Sequence, residues 1–245
     1  MPKLVTVFVM LAALALGAPD VALAKDLKGW GIVVMHGKGG KPASMSQVSS
    51  ALTAAGAIVV TPTMSWSNGY KTYPQTLDEV AGHIAALRAK GATRIALVGQ
   101  SLGANVALGY GAQRGGVAAV VAMAPGHRPE AFIGKSGESL ARAKQAVASG
   151  HGGDVGSYLD TNQGRIYQVQ TTAAAYVSFF DPAGPAVMSR NASALKGASL
   201  LWIIGNGDAG AQAVAHGGKI VRVSGGHFDT PKIAAPEVVT WLESL

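Results

Sequence analysis

The sequence predicts an α/β fold, a doubly wound, mainly parallel sheet of about six strands, on three observations. Apolar runs of strand length recur along the chain, they are continuous rather than alternating, and helix-like segments separate them. Continuous runs are what strands covered on both faces require. Strand and helix in alternation are what parallel neighbours need to connect.

Taken in order, the strand candidates are residues 31–35, 57–60, 95–98, 117–121, 200–204 and 220–223, with helix candidates at 44–55, 77–90, 102–113, 186–195, 209–216 and 236–245. In the second helix, Asp78 and Glu79 are expected in the first turn and Arg88 and Lys90 in the last, as the helix dipole favours, and Gly91 supplies the stop. The stretch from about 127 to 184 breaks the rhythm. It shows no clear sheet strand, a helix-like segment at 139–148, a glycine-rich break at 150–156, and the aromatic-containing run Tyr176-Val177-Ser178-Phe179-Phe180. So long an excursion is uncommon as mere connection, and it reads as a small cap over a site or as an elaborated surface excursion. No internal repeat or low-complexity linker argues for a second domain, so residues 25–245 are expected to form one.

The first 24 residues read as a secretory leader. Lys3 precedes an apolar block of 14 residues, 4–17, and Ala22-Leu23-Ala24 stands ahead of the polar Lys25-Asp26. Such a block is shorter than the roughly 20 residues that span a bilayer as a helix, and the small-x-small triplet offers cleavage after Ala24. The expectation is a periplasmic or secreted domain with no stable membrane anchor; an uncleaved anchor is the alternative. With no cysteine there is no disulfide and no lipid-bearing N-terminal Cys, so stability has to come from the core.

Only 13% of the residues are charged while glycines number 33, so helices are expected to pack on the sheet through small side chains. The net charge of +7 survives loss of the leader, which carries one Lys and one Asp. Lys and Arg are scattered singly and without aromatic interleaving. That pattern disfavours a nucleic-acid groove and leaves the charge as a solubility feature.

The most specific local pattern is Gly99-Gln100-Ser101-Leu102-Gly103. It follows the apolar run 95–98 directly and opens the helix candidate 102–113, so Ser101 sits on a tight strand-to-helix turn whose crowding the glycines relieve. In that context the motif resembles the nucleophile elbow of the α/β-hydrolase superfamily, and the resemblance extends over nearly all of the chain after the leader. It implies that Ser101 is the nucleophile of a serine hydrolase and that the acid and then the base follow it in the chain. It also implies a cap where 127–184 stands.

Of the histidines after Ser101, His227 follows the last strand through Ser224-Gly225-Gly226 and precedes a terminal helix, where the resemblance puts the base. His127 also follows a strand but comes before any acid; His83 reads as a helix residue, and His151 and His216 as loop or helix-end residues. Asp208, past the run 200–204 and a glycine-bearing turn, takes the acid position ahead of two competitors. Asp181 precedes a Pro and reads as a turn residue, and Asp229 as the cap of the next turn. The oxyanion donors implied are the backbone N–H groups of Leu102 and of Lys38, the latter in His36-Gly37-Lys38-Gly39-Gly40, which is similar to the HG-type loop of lipases and esterases.

Other chemistries fit less well. Gly37-Lys38-Gly39-Gly40-Lys41-Pro42 lacks the GxxxxGK[ST] spacing of a phosphate cradle, and Pro42 removes a donor. No HExxH or Cys/His cluster suggests a metal, His36 reads as hydrogen-bonded support for its loop, and no cofactor is required. The loop after the second strand holds Met64, Trp66 and Tyr70 at the ligand edge of a parallel sheet, either as an acyl or alcohol pocket or, for Trp66 and Tyr73, as anchors against the core. The resulting expectation is an exported hydrolase of small-molecule acyl substrates, carboxylic esters first. A thioesterase, peptidase or lyase with the same residues, or a non-catalytic binding protein, is the alternative.

Cleavage after Ala24 predicts Lys25 as the mature N-terminus, read by N-terminal sequencing of exported protein. Full-length chain in the membrane fraction is the contrary result.

Overall fold

The structure, a computed structural model, describes residues 26–212, 215 and 217–245; the expected leader, the end of the helix candidate 209–216 and His216 lie outside the described residues. In chain order the elements are β1 (Trp30–Met35), α1 (Ser46–Ala54), β2 (Ile58–Val60), α2 (Tyr73–Ala89), β3 (Arg94–Gln100), α3 (Leu102–Gln113), β4 (Ala119–Met123), α4 (Pro129–Ala148), β5 (Val155–Asn162), β6 (Arg165–Thr172), α5 (Ala173–Phe180), α6 (Met188–Ser193), β7 (Ser199–Gly205), α7 (Ala209–Gln212), β8 (Lys219–Val223), α8 (Thr230–Ile233) and α9 (Ala235–Glu243). Six strands form one sheet in the order β2-β1-β3-β4-β7-β8, every neighbouring pair parallel. Each apolar run of the sequence is one of these strands, the fourth displaced two residues toward the C-terminus.

Burial explains why the runs are continuous. Along β1, Val33 and Met35 face a core shared with α2 and α3, while Trp30, Ile32 and Val34 face a second core shared with α1 and α9. On β7, Leu200, Trp202 and Ile204 face the first and Leu201 and Ile203 the second. A strand buried on both faces has no position left for a polar residue.

The long excursion contributes nothing to this sheet. It consists of α4, an antiparallel hairpin of β5 and β6, and α5, whose Tyr176, Phe179 and Phe180 pack into the first core. The hairpin is absent from the sequence reading. Its two-residue turn, Gln163-Gly164, has φ of 48° and 81°, the positive pair a tight hairpin turn needs, but without the Asn-Gly or Asp-Gly that usually advertises it. α4 also begins ten residues before the expected 139, because Gly134 and Gly137 dilute its signal.

The start of α2 is a further correction. The helix begins at Tyr73, capped by Thr72 and Gln75 in a reciprocal capping box, so Asp78 and Glu79 lie beyond the first turn. Its end is as expected, with Arg88 in the last turn and Gly91 beyond it at φ +94°.

The tightest packing is at the β3–α3 turn. A Cβ on Gly99 would overlap the carbonyl group of Gly103, and one on Gly103 would lie 2.5 Å from the Met35 carbonyl oxygen and 2.8 Å from that of His36. Gly103→Ala is therefore expected to destabilise the fold by about 1 to 3 kcal/mol, lowering Tm by about 2 to 12 °C. Gly82, exposed within α2 with nothing near its missing Cβ, is the control. Gly82→Ala should raise Tm by about 1 to 4 °C, and a scan showing the two substitutions equivalent would contradict the packing argument.

Candidate active site

The parallel register sets the site. Met35 pairs with Gly99, Gln100 with Met123, Met123 with Ile203, and Gly205 with Val223, so β1, β3, β4, β7 and β8 end together. The segments that leave those ends converge on one edge, as ligand-binding loops of parallel sheets do. They bound a cavity of about 270 Å³ whose floor holds Ser101, Gly126, Asp208 and His227.

Ser101 has φ 56° and ψ −114°, a conformation that L residues rarely adopt and that surrounding bonds must hold. Its N–H donates to Met123 O at 3.0 Å, and its carbonyl accepts from Ala104, Asn105 and Gly126 at 3.1, 3.2 and 3.3 Å. Gly126 keeps the hydroxyl accessible: a Cβ there would lie 2.7 Å from Ser101 Oγ and 3.5 Å from His227 Cε1.

His227 Nδ1 and Asp208 Oδ2 are 2.6 Å apart, and Asp208 Oδ1 accepts the Ala211 N–H at 3.1 Å. A carboxylate can only accept, so Nδ1 carries the proton and Nε2 has its lone pair free. That buried Nε2 has no hydrogen-bond partner in the protein. Burial pushes the Asp208 carboxyl up, but the bond and charge of His227, the Ala211 N–H and the nearby Arg128 outweigh it and hold the group below the usual carboxylate range. Gln100 Nε2 donates to His227 O at 3.3 Å, so the residue before the elbow serine also fixes the loop that bears the histidine.

The His36–Gly40 segment lies against the elbow. A Cβ on Gly37 would overlap Gln100 Oε1 and lie 3.1 Å from Ser101 Cβ. His36 accepts the Met64 N–H on Nε2 at 3.1 Å, which leaves Nδ1–H to donate to Gly37 O at 2.8 Å. Trp66 Nε1–H donates to His36 O and Gly37 O at 3.1 and 3.2 Å. Among the described residues, the backbone N–H groups of Lys38 and Leu102 have no acceptor. Both belong to segments that flank Ser101.

The fold is similar to that of a monoacylglycerol lipase from Paleococcus ferrophilus (TM-score 0.60, 20% identity, 87% of this chain and 94% of that one). It is also similar to an esterase domain from Rhodothermus marinus (TM-score 0.59, 15% identity, 89% and 88%) and to a soluble variant of a monoglyceride lipase from Saccharomyces cerevisiae (TM-score 0.59, 12% identity, 89% and 87%). The chain has the α/β-hydrolase fold. No protein-family model and no curated protein matches its sequence, so the likeness is carried by structure.

On this hydrolase fold, Met64, Trp66 and Tyr70 stand away from the Ser101 cavity, and Trp66 anchors its loop to the His36 segment. Met64 and Trp66 are buried in the core, and none of the three lines the Ser101 cavity. Trp66 and Tyr70 border a separate cavity of about 280 Å³ beside Lys38, Asp160 and Tyr167. Asp181 is the turn residue expected, accepting the Ala183 N–H at 3.0 Å and pairing with Lys144 at 2.7 Å. Asp229 reaches backward to the Gly226 N–H at 3.1 Å instead of capping α8. His83 lies within α2, and His151 is exposed beside Asp154. No group of three or more His, Asp or Glu side chains among the described residues is placed to hold a metal ion.

Two buried side chains near the site have partners that the sequence did not mark. His127 donates through Nε2 to Phe179 O at 2.8 Å, and burial, reinforced by the charge of Lys38, drives its pKa down to about 3, so it is neutral at ordinary pH. Lys38 does more than present a backbone N–H. Its Nζ lies 2.6 Å from Asp160 Oδ1 on β5 and donates to Thr161 O at 3.0 Å, the two side chains being 6% and 1% exposed. Asp160 also accepts from Tyr70 and Tyr167 at 2.7 and 3.0 Å. The hairpin and the loop that would hold the oxyanion are thus tied by one ion pair.

Removing one partner of a buried pair strands the other, so Asp160→Asn is expected to cost about 3 to 5 kcal/mol. Burial raises the Asp160 carboxyl, but the charge and hydrogen bond of Lys38 and the Tyr70 hydroxyl override it, so its folded pKa is depressed. A depressed carboxylate contributes stability that is fully present above the unfolded value of about 3.9 and is lost as pH falls through the folded value. The Tm difference between wild type and Asp160→Asn should be constant above about pH 5 and narrow below about pH 4. A difference unchanged down to about pH 2 would show that the pair carries no such linkage.

Proposed function

We propose that the protein is an exported serine hydrolase that cleaves small-molecule carboxylic esters through an acyl-enzyme. The observation that carries this reading is the 2.6 Å bond between His227 Nδ1 and Asp208 Oδ2 on the floor of the cavity that holds Ser101. A serine hydroxyl is a weak nucleophile until a base, held in one tautomer by an acid, takes its proton. Ester cleavage is favoured over thioester, amide or lyase chemistry by the esterases and lipases among the similar structures. The leader pattern of the first 24 residues supports export.

In this reading Ser101 Oγ attacks the ester carbonyl carbon while its proton passes to His227 Nε2. The carbonyl oxygen becomes an oxyanion and takes the N–H groups of Lys38 and Leu102; each such donor is typically worth about 2.7 to 4 kcal/mol in the transition state. Collapse breaks the bond to the leaving oxygen, which receives the proton from Nε2. Water then repeats the sequence against the acyl-enzyme, releasing the acid and restoring Ser101. Asp208 stabilises the imidazolium in both halves, and its depressed pKa keeps it ionised for that purpose.

A fluorophosphonate probe should label the wild type and not Ser101→Ala, which separates an activated serine from the exposed serine of a binding protein. His227→Ala should cut turnover by orders of magnitude. By analogy with the serine-protease triad, Asp208→Asn should lower kcat by up to about 10⁴. Asp181→Asn and Asp229→Asn should stay within about tenfold, roughly 1.4 kcal/mol of barrier. A folded Asp208→Asn with near-normal kcat, beside an inactive Asp229→Asn, would move the acid role to Asp229.

A further inference from the structure

The wall of the Ser101 cavity is one face of α4. Ala131, Phe132 and Lys135 line it from successive turns of the helix, and Arg128 lines it from the N-cap, just before the first turn. Two of the four are cations. Among the described residues, Arg88, Arg94, Arg114, Arg142 and Arg190 each meet a carbonyl, a carboxylate or an aromatic ring, and Arg165 and Arg222, which meet none, are exposed. Arg128 is half-buried beside His127; its charge is felt by Asp208, but it makes no hydrogen bond, ion pair or ring contact. Lys135 likewise has none, whereas Lys144 on the same helix pairs with Asp181 at 2.7 Å.

The carboxylate lining this cavity is Asp208, already committed to His227, and the third cation, Lys38, is neutralised by Asp160. Glu130 and Glu138 of α4 are exposed and do not line the cavity. General basicity of the chain does not account for Arg128, because a cation that serves only solubility stays in water. A guanidinium drawn partly out of water without an acceptor is placed for a ligand that brings one.

We propose that the ester taken by this site carries an anionic group, a carboxylate or phosphate, held by Arg128 and Lys135, with Ala131 and Phe132 packing the apolar part between them. The proposal rests on the hydrolase reading and adds the substrate class.

The test compares matched esters with the anion on either side of the scissile bond: para-nitrophenyl hydrogen succinate against its methyl ester, and para-acetoxybenzoate against methyl para-acetoxybenzoate. In at least one pair the anionic ester should show a KM lower by about tenfold or more. That preference should fall to about twofold or less in Arg128→Gln and in Lys135→Gln, and persist in Lys90→Gln, an exposed cation away from the cavity. Lys135 is exposed, so its variant keeps the test open if Arg128→Gln fails to fold. Affinities of the same esters for Ser101→Ala, measured by calorimetry, read the preference without turnover. Equal affinity within both pairs, or a preference that survives both substitutions, overturns the proposal. Absence of turnover and of fluorophosphonate labelling in the wild type, with the anionic preference intact in Ser101→Ala, overturns the hydrolase reading and leaves the anion site standing.

Discussion

The first turn of α3 lies against the end of β1 with no room for a side chain between them, and the rest of the site depends on that contact. A Cβ on Gly103 would lie 2.5 Å from the Met35 carbonyl oxygen, and Gly99 is closed off by Gly103 itself. This approach forces the chain through the strained backbone of Ser101, brings the Leu102 N–H beside the loop that begins at His36, and leaves the serine at the rim of the sheet. The same closeness continues along α3, all of whose residues from Leu102 to Ala112 are buried. At Gly109 a Cβ would run into the Tyr73 hydroxyl. The abundance of small residues is thus a packing requirement.

A helix buried so completely has few ways to satisfy a polar side chain, and Asn105 uses them all. Its Nδ2 donates to His127 O and Ala186 O at 2.8 Å each, and its Oδ1 accepts from Tyr73 OH at 2.9 Å. A single amide therefore ties the segment after β4, the segment before α6 and the start of α2 to α3. Leaving any of these groups unpaired would cost about 1 to 3 kcal/mol. Lys38 and Asp160 do the same on the other side of the cavity, joining the hairpin to the loop after β1.

The sheet and the elbow were legible because their signals are local. A two-faced strand is apolar throughout, and the elbow needs its glycines at fixed offsets from Ser101. Asp208 and His227 were legible from their places after β7 and β8, and the structure joins them at 2.6 Å. What was not legible depends on partners far apart in the chain. Lys38 and Asp160 are separated by 122 positions, and nothing around Asp160 marks it as inward-facing, since β5 mixes exposed and buried residues without clean alternation. The roles of Gly126, Gln100 and Arg128 are equally non-local, each being defined by what a neighbouring segment brings to it. Trp66 was left open between pocket and anchor for the same reason: only the folded chain shows its indole N–H spent on two carbonyls of the His36 loop.

The insertion between β4 and β7 divides the molecule in an order that matters for how it comes together. β4 and β7 are sheet neighbours, with Ala119 opposite Ser199, although α4, the hairpin, α5 and α6 all intervene in sequence. Ser101 and the Lys38 loop belong to the part of the chain before that crossing, and Asp208 and His227 to the part after it. Loop-closure entropy grows only slowly with length, so the crossing costs little more than a short one at equilibrium, but long-range pairings form slowly. Strand pairing across the gap is therefore the event that brings Asp208 and His227 to Ser101, and a nascent chain that ends between α3 and β7 holds the strand-to-helix turn of Ser101 without either of them.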